Sequence, residues 1–303
     1  MKKEIEASLK SIETENYIDR VFYRPIGYKI AKSLIGTGIT PNAVTIVSIF
    51  VGIAAGVFWI FPYSITFALL GILSLVVANI LDCVDGQLAR LTGIKSEVGR
   101  ILDGIAGDLW FVMIYLAIIY RTSNDFSTHF DISLNTSLWI FWSVALISSY
   151  SHLNQAALTD YYKTLHLFFV SKEKGKEFEN SESIKERLKT MPKGINRFIT
   201  ILYLPYTRNQ ERQTPHLQKL LADLKNQYGA DIPEEVRISF REKSGKLMKL
   251  IDWMTFNGRS IVLFLSAIFN VIWLYFIWDI VVLNILKRVI RVRHEKMCRT
   301  FER

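Results

Sequence analysis

Residues 43–62, AVTIVSIFVGIAAGVFWIFP, contain no charged side chain. Twenty residues at 1.5 Å each span about 30 Å as a helix, the thickness of a bilayer's hydrocarbon core, and in that medium each backbone amide must be satisfied within its own segment. One such run already argues for helices in a membrane, and it is not alone. Thr40-Pro41-Asn42 gives the start signal for it. Further apolar stretches run from about Ile65 into the 80s, from about Gly99 to Tyr120, from about Leu138 to Leu158, and from Ile261 to Leu286. Composition agrees: 50% of the 303 residues are hydrophobic, while the formal net charge is +9. A basic chain with apolar runs reads as a membrane protein with cationic aqueous loops, and the runs leave nucleic-acid binding without a role.

The last apolar block suits one long tilted helix, or a tight helical hairpin turning near Asn270 and entered through LMKLIDWMTFNGRS. Charge asymmetry decides. Arg121 to Thr136 carries a single basic residue besides His129, and Phe61 to Ser64 carries none, whereas 161–250 and the tail KRVIRVRHEK are strongly basic. The positive-inside rule then places the N-terminus, the basic insertion and the tail together in the cytoplasm, which requires an even number of crossings between the last two. The hairpin follows, and six spans in all.

The expected fold is therefore all-α and integral to the membrane. Residues 1–40 form a cytoplasmic N-terminus whose stretch 16–36 reads as an amphipathic interfacial helix, with Ile18, Val21, Phe22, Ile26, Ile30 and Leu34 on one side. Residues 41–160 hold spans one to four, 161–247 a basic cytoplasmic insertion, 248–288 spans five and six, and 289–303 a basic cytoplasmic tail. No signal-peptide core is expected at the N-terminus. Cys83 and Cys298 are too few for a disulfide framework, and the five histidines show no metal-ligand spacing.

The segment from Ile80 to Trp110 carries five acids, two arginines and a lysine. Asp82, Asp85, Ala89 and Arg90 share one helix face, and Gly99 and Asp103 are one turn apart in the next helix. Two helix faces thus bring three carboxylates toward one cleft, where they need a counter-charge. Oxygen ligands without histidine or cysteine favour Mg²⁺ or Mn²⁺, and such ions keep positions open for phosphate oxygens. Gly86 and Gly99 permit close approach of a nucleotide, and Arg90 pairs with a phosphate or with a motif carboxylate.

The run DCVDGQLARLTGIKSEVGRILD resembles the signature of the CDP-alcohol phosphotransferases, D-x2-D-G-x2-A-R-x8-G-x3-D. TPNAVT and RPIGYKIAKSLIGTGI also look like that family, especially its inositol-phosphate-related branches. The resemblance covers the interfacial helix and the first three spans, and beyond about residue 165 it is topological. It implies a six-helix, homodimeric membrane enzyme that displaces CMP from a CDP-linked donor, CDP-diacylglycerol foremost, with a polyol or polyol-phosphate hydroxyl. By position it implies that Asp82, Asp85 and Asp103 hold two Mg²⁺ or Mn²⁺ ions, and that Gly86, Ala89, Arg90 and Gly99 cradle the cytidine diphosphate together with Asp82 and Asp85.

One position departs. The family's fourth aspartate, the base, falls on Gly107, and an aspartate stands one residue later, Asp108. On a regular helix Gly107 lies about 40° around from Asp103 and Asp108 about 140°. A π-type bulge at Gly104 and Gly107 would bring Asp108 in as shifted base and further metal ligand. The rivals are another base, such as a substrate phosphate, or a catalytically silent nucleotide-binding subunit. For an acceptor phosphate the candidates are Arg259, with lipid-headgroup snorkelling as its alternative, and Lys95 and Arg100 beside the motif. Headgroup transfer from a soluble CDP-alcohol to a lipid hydroxyl would use the same metal site.

Overall fold

The computed structural model describes residues 5, 8–9, 11–94, 96–171, 178–229 and 231–301. Those residues are helical with no strand among them, and they form two compact units: 1–150 with 259–280, and 151–258 with 281–303.

In the first unit, a π-turn at Asp19–Tyr23 leads into α1 (Arg24–Leu34), followed by α2 (Pro41–Ile60), α3 (Ile65–Thr92) and α4 (Glu97–Phe130). The helix starts are written in the sequence. Thr40, Ser64 and Ser96 each accept a hydrogen bond from the backbone N–H three residues on, at 3.3, 3.1 and 2.9 Å. Gly93, with φ of 72°, ends α3 in the left-handed conformation that glycine enters without strain. Pro41–Ile60, Ile65–Thr92 and Leu102–Phe130 are long and apolar enough to cross a membrane, which marks the chain as a membrane protein. The fourth expected span lies inside α5 (Leu134–Val170), whose first part belongs to this unit.

Three helices approach closely because large side chains face glycines. The Trp110 indole lies where a side chain on Gly52 would be, Met113 does the same at Gly56, and Trp59 at Gly71. Ala106, Trp110 and Ala117 are buried on the face of α4 that includes Asp103, since seven residues are two turns. That packing sets the direction in which Asp103 points.

The C-terminal apolar block is interrupted. α10 (Phe256–Ile268) ends before Asn270, whose φ is 57°, and the chain resumes in α11 (Leu274–Ile277) and a π-turn, Trp278–Val282. Arg259 forms a salt bridge with Asp279. On a straight helix those residues would lie about 30 Å apart, so the chain reverses between them and a single long helix is excluded.

α1 buries Gly27, Tyr28 and Ala31, while Val21 and Phe22 are exposed. The small-residue face packs on the protein, and the large apolar residues just before it face outward.

The second unit contains the rest of α5, then α6 (Ser181–Thr190), α7 (Ile195–Gln213), α8 (Pro215–Tyr228), α9 (Glu234–Ile251) and α12 (Leu283–Arg299). The insertion is built around its own core and shares it with the tail: Phe169 stacks on Phe240 at 3.8 Å and Tyr162 on His294 at 4.0 Å. α8 is the amphipathic helix read from HLQKLLADLKNQYG, with Leu217, Leu220 and Leu224 buried. The compact units thus divide the chain differently from the sequence-based segments, joining 161–247 to the tail.

Candidate active site

Asp82 and Asp85 lie on α3 and Asp103 on α4, and one carboxylate oxygen from each lies within 4.8 Å of the others. Asp85 is 3% exposed, Asp82 half-buried and Asp103 exposed, so the trio runs from the protein interior to an open edge. At 4.8 Å two unit charges repel by roughly 3–4 kcal/mol at an effective dielectric of 20. Among the described residues neither Asp82 nor Asp85 forms a salt bridge, and the Arg24 guanidinium is engaged by Glu15 at 3.1 Å. An all-oxygen, all-anionic donor set with an open edge fits a hard divalent cation.

Arg90 lies beside Gly86, where an added side chain would meet its guanidinium at 3.3 Å. Its Nε donates to the Ser8 carbonyl, and Gln87 Nε2 donates to Ser8 Oγ at 3.0 Å and to the Arg24 carbonyl at 3.2 Å. The N-terminal segment therefore buttresses the aqueous end of the motif helix, a contact that no local pattern in the chain reveals. Ala89 is half-buried on the same helix. Gly99 is close to protein: Asn42 and the Ser96 hydroxyl occupy the space next to it, and Asn42 Nδ2 donates to Ser96 Oγ at 3.0 Å.

Asp108 is not in the trio. α4 is regular through Gly104 and Gly107, so the bulge that would turn Asp108 toward Asp103 is not formed. Asp108 is exposed, on the face that carries Tyr115 two turns later, and Tyr115 faces the hairpin, with its ring 5.5 Å from Phe276. Nothing occupies the space at Gly107 within 4 Å.

Arg259 does not await an anion; it has one in Asp279. The two are 2% and 0% exposed. Ser148 Oγ donates to Asp279 Oδ2 at 2.5 Å and Tyr115 OH donates to the same oxygen at 3.2 Å, completing a buried hub. The sequence reading passed over Asp279, although an acid inside an apolar block calls for a cationic partner. Lys95 and the Arg100 side chain lie outside the described residues. Thr45 was also missed: its hydroxyl donates to Asp85 Oδ2 at 2.5 Å.

Apolar helices with convergent carboxylates at one edge give a membrane protein whose acids fit a cation. Residues 38–174, which contain the whole motif, match the family model of the CDP-alcohol phosphatidyltransferases. That family comprises transferases of substituted phosphate groups and generally uses divalent metal ions. Over 75 residues the chain is 36% identical to an archaetidylinositol phosphate synthase of Pyrococcus horikoshii, a match spanning 25% of this chain and 38% of that relative.

Proposed function

We propose that this protein displaces CMP from a CDP-linked lipid, with CDP-diacylglycerol the first candidate, by attack of a polyol or polyol-phosphate hydroxyl such as that of inositol phosphate. The observation that carries this reading is the convergence of Asp82, Asp85 and Asp103 within 4.8 Å on two apolar helices. The relative's name supports an inositol-phosphate acceptor.

In this reading Asp82, Asp85 and Asp103 hold Mg²⁺ or Mn²⁺, and two ions fit the family's usage. Bound there, a divalent cation neutralises the carboxylates and draws charge from the phosphate oxygens. Gly86 leaves room for the donor diphosphate, and the Arg90 guanidinium beside it pairs with a phosphate oxygen. The acceptor oxygen bonds to the β-phosphorus as the bond to the bridging oxygen breaks, and CMP leaves with that electron pair. Asp108 faces the hairpin, about 140° around α4 from Asp103, so an oxygen of the substrate's own phosphate takes the acceptor proton. Arg259 serves the hub rather than the acceptor. The N-terminus, motif, insertion and tail share the cytoplasmic side of a six-span homodimer, with Val21 and Phe22 against the lipid surface.

Purified protein in detergent with Mn²⁺ is assayed for CMP release from CDP-diacylglycerol against inositol phosphate, inositol, glycerol phosphate and serine. Release that depends on one acceptor and is lost in Asp85→Asn is the expected result. Asp108→Asn should leave turnover and Mn²⁺ affinity near wild type; a large fall in turnover puts the base back at Asp108. Gly107 favours one other reading, a silent nucleotide-binding subunit, which predicts cytidine-nucleotide binding with no release from this donor or from soluble CDP-alcohols.

A further inference from the structure

Thr45 on α2 is 2% exposed, and Asp85 opposite it on α3 is 3% exposed. The Thr45 Oγ1 lies 2.5 Å from Asp85 Oδ2 and 3.1 Å from the Pro41 carbonyl oxygen. A hydroxyl has a single proton for these two acceptors. The carboxylate oxygen is nearer, and a charged acceptor makes the stronger bond. Thr45 is also stiff at χ1, and its Oγ1 sits one turn below the Pro41 carbonyl. Oδ2 of Asp85 is thus engaged by the protein itself, and Oδ1 is the oxygen left without that bond.

Building on the metal-site reading above, we infer that Thr45 is a positioning residue that restricts Asp85 to one metal-binding oxygen and thereby sets the site's preference for Mg²⁺ and Mn²⁺ over Ca²⁺. Ca²⁺ takes six to eight oxygens and commonly both oxygens of a carboxylate, at longer distances and in flexible geometry. Mg²⁺ requires a small octahedral shell, with single oxygens and retained waters. The three carboxylates converge with an oxygen of each within 4.8 Å of the others, and Thr45 holds one of them in a single orientation. Freed from Thr45, Asp85 can rotate and present both oxygens, which loosens the octahedral arrangement and admits the larger ion.

The test is Mn²⁺ binding followed by electron paramagnetic resonance in detergent, with Ca²⁺ as competitor, on wild type, Thr45→Val, Thr45→Ser and Asp85→Asn. Valine keeps the threonine shape without its donor, and serine keeps the donor. Thr45→Val should weaken Mn²⁺ binding about tenfold or more, the usual effect of losing a bond to a metal-ligating group, and Ca²⁺ should compete better. Thr45→Ser should restore both values. A Thr45→Val protein with wild-type Mn²⁺ affinity and wild-type Ca²⁺ competition overturns the inference while leaving the metal site standing, as does a Thr45→Ser protein that behaves like the valine variant. Wild-type Mn²⁺ binding that Asp85→Asn does not diminish overturns the metal site itself.

Discussion

Asp279 and Asp85 are both buried acids in apolar helices of the first unit, 0% and 3% exposed, yet their surroundings are opposite. Asp279 receives hydrogen bonds from Ser148 and Tyr115 and a full counter-charge from Arg259, all within the fold. Asp85 receives one hydroxyl, and its ionisable neighbours in the trio are further acids. A closed hub of this kind ties α4, α5, α10 and the π-turn together and has nothing left to offer a ligand. Carboxylates whose oxygens converge within 4.8 Å are a structural cost unless something binds there. The difference separates an acid satisfied within the fold from acids that converge on one another.

The sharpest way to break this comparison is to remove the hub acid. Asp279→Asn leaves the Arg259 guanidinium buried without its counter-charge, and breaking a buried pair from one side costs about 3–5 kcal/mol. Thermal unfolding in detergent should show a large fall in melting temperature, with or without metal. Replacing both partners by apolar residues, Arg259→Met with Asp279→Leu, should recover most of the loss. A hub whose single variant melts like wild type is not carrying the fold.

Asp85→Asn should do the reverse. It removes like-charge repulsion, worth about 1–3 kcal/mol once the exposure of Asp103 is discounted, so the metal-free variant should melt higher than metal-free wild type. Added Mn²⁺ should raise the wild-type melting temperature, by about 2.7 kcal/mol at a hundred times the dissociation constant, and should leave Asp85→Asn nearly unmoved. If chelation does not change wild-type melting, the trio is a structural feature and the comparison collapses.

The second unit adds a third way of burying an ionisable group, which is to keep it neutral. His294, on the tail helix, is 1% exposed, stacked on Tyr162, with Nδ1 3.5 Å from the Cys298 sulfur. Burial lowers its pKa from 6.5 to about 3. The folded pKa lies below the unfolded one, so the unfolded chain takes up the proton first as the pH falls. The stability is full above the unfolded value and declines from pH 6.5 toward 3, by about 1.4 kcal/mol per unit for one proton. Between pH 6.5 and 5 this amounts to about 2 kcal/mol. His294→Phe keeps the ring on Tyr162 and should flatten that part of the stability profile; an unchanged slope assigns the pH dependence to other groups.

Much of this was legible in the sequence, and for identifiable reasons. The spans around 43–62 and 65–92 follow from length and hydropathy, their starts from Thr40 and Ser64, and the meeting of Asp82, Asp85 and Asp103 from one-turn spacing on two consecutive helices. The turn near Asn270 was inferred from loop charge, and the left-handed Asn270 and the Arg259–Asp279 pair now account for it. What could not be read depends on contacts between residues far apart in the chain. Thr45 reaches Asp85 across forty residues, Arg259 finds its anion twenty residues on, and Ser8 meets Arg90 across eighty-two. No local period encodes such pairs. The π-bulge expected at Gly104 and Gly107 failed for a different reason. Glycine permits a bulge without requiring one, and Trp110 and Met113 packed on α2 hold α4 in regular register.

That register supplies the finest test of the comparison, because the position facing the trio is Gly107 rather than Asp108. An added side chain at Gly107 meets nothing within 4 Å, so Gly107→Asp adds a fourth acid without a clash. It lies about 40° around the helix from Asp103 and one turn along. If the trio is a cation site, the fourth carboxylate should tighten Mn²⁺ binding by roughly tenfold, since added ligand charge raises affinity. The same variant should lower metal-free stability by about 1 kcal/mol through like-charge repulsion. Combined with Asp108→Asn, it also asks whether the proton acceptor must stand at one residue or only near the acceptor hydroxyl. Faster CMP release in Gly107→Asp/Asp108→Asn than in Asp108→Asn alone places a working base in the trio's own register. Tighter Mn²⁺ with turnover no faster leaves the base on the substrate.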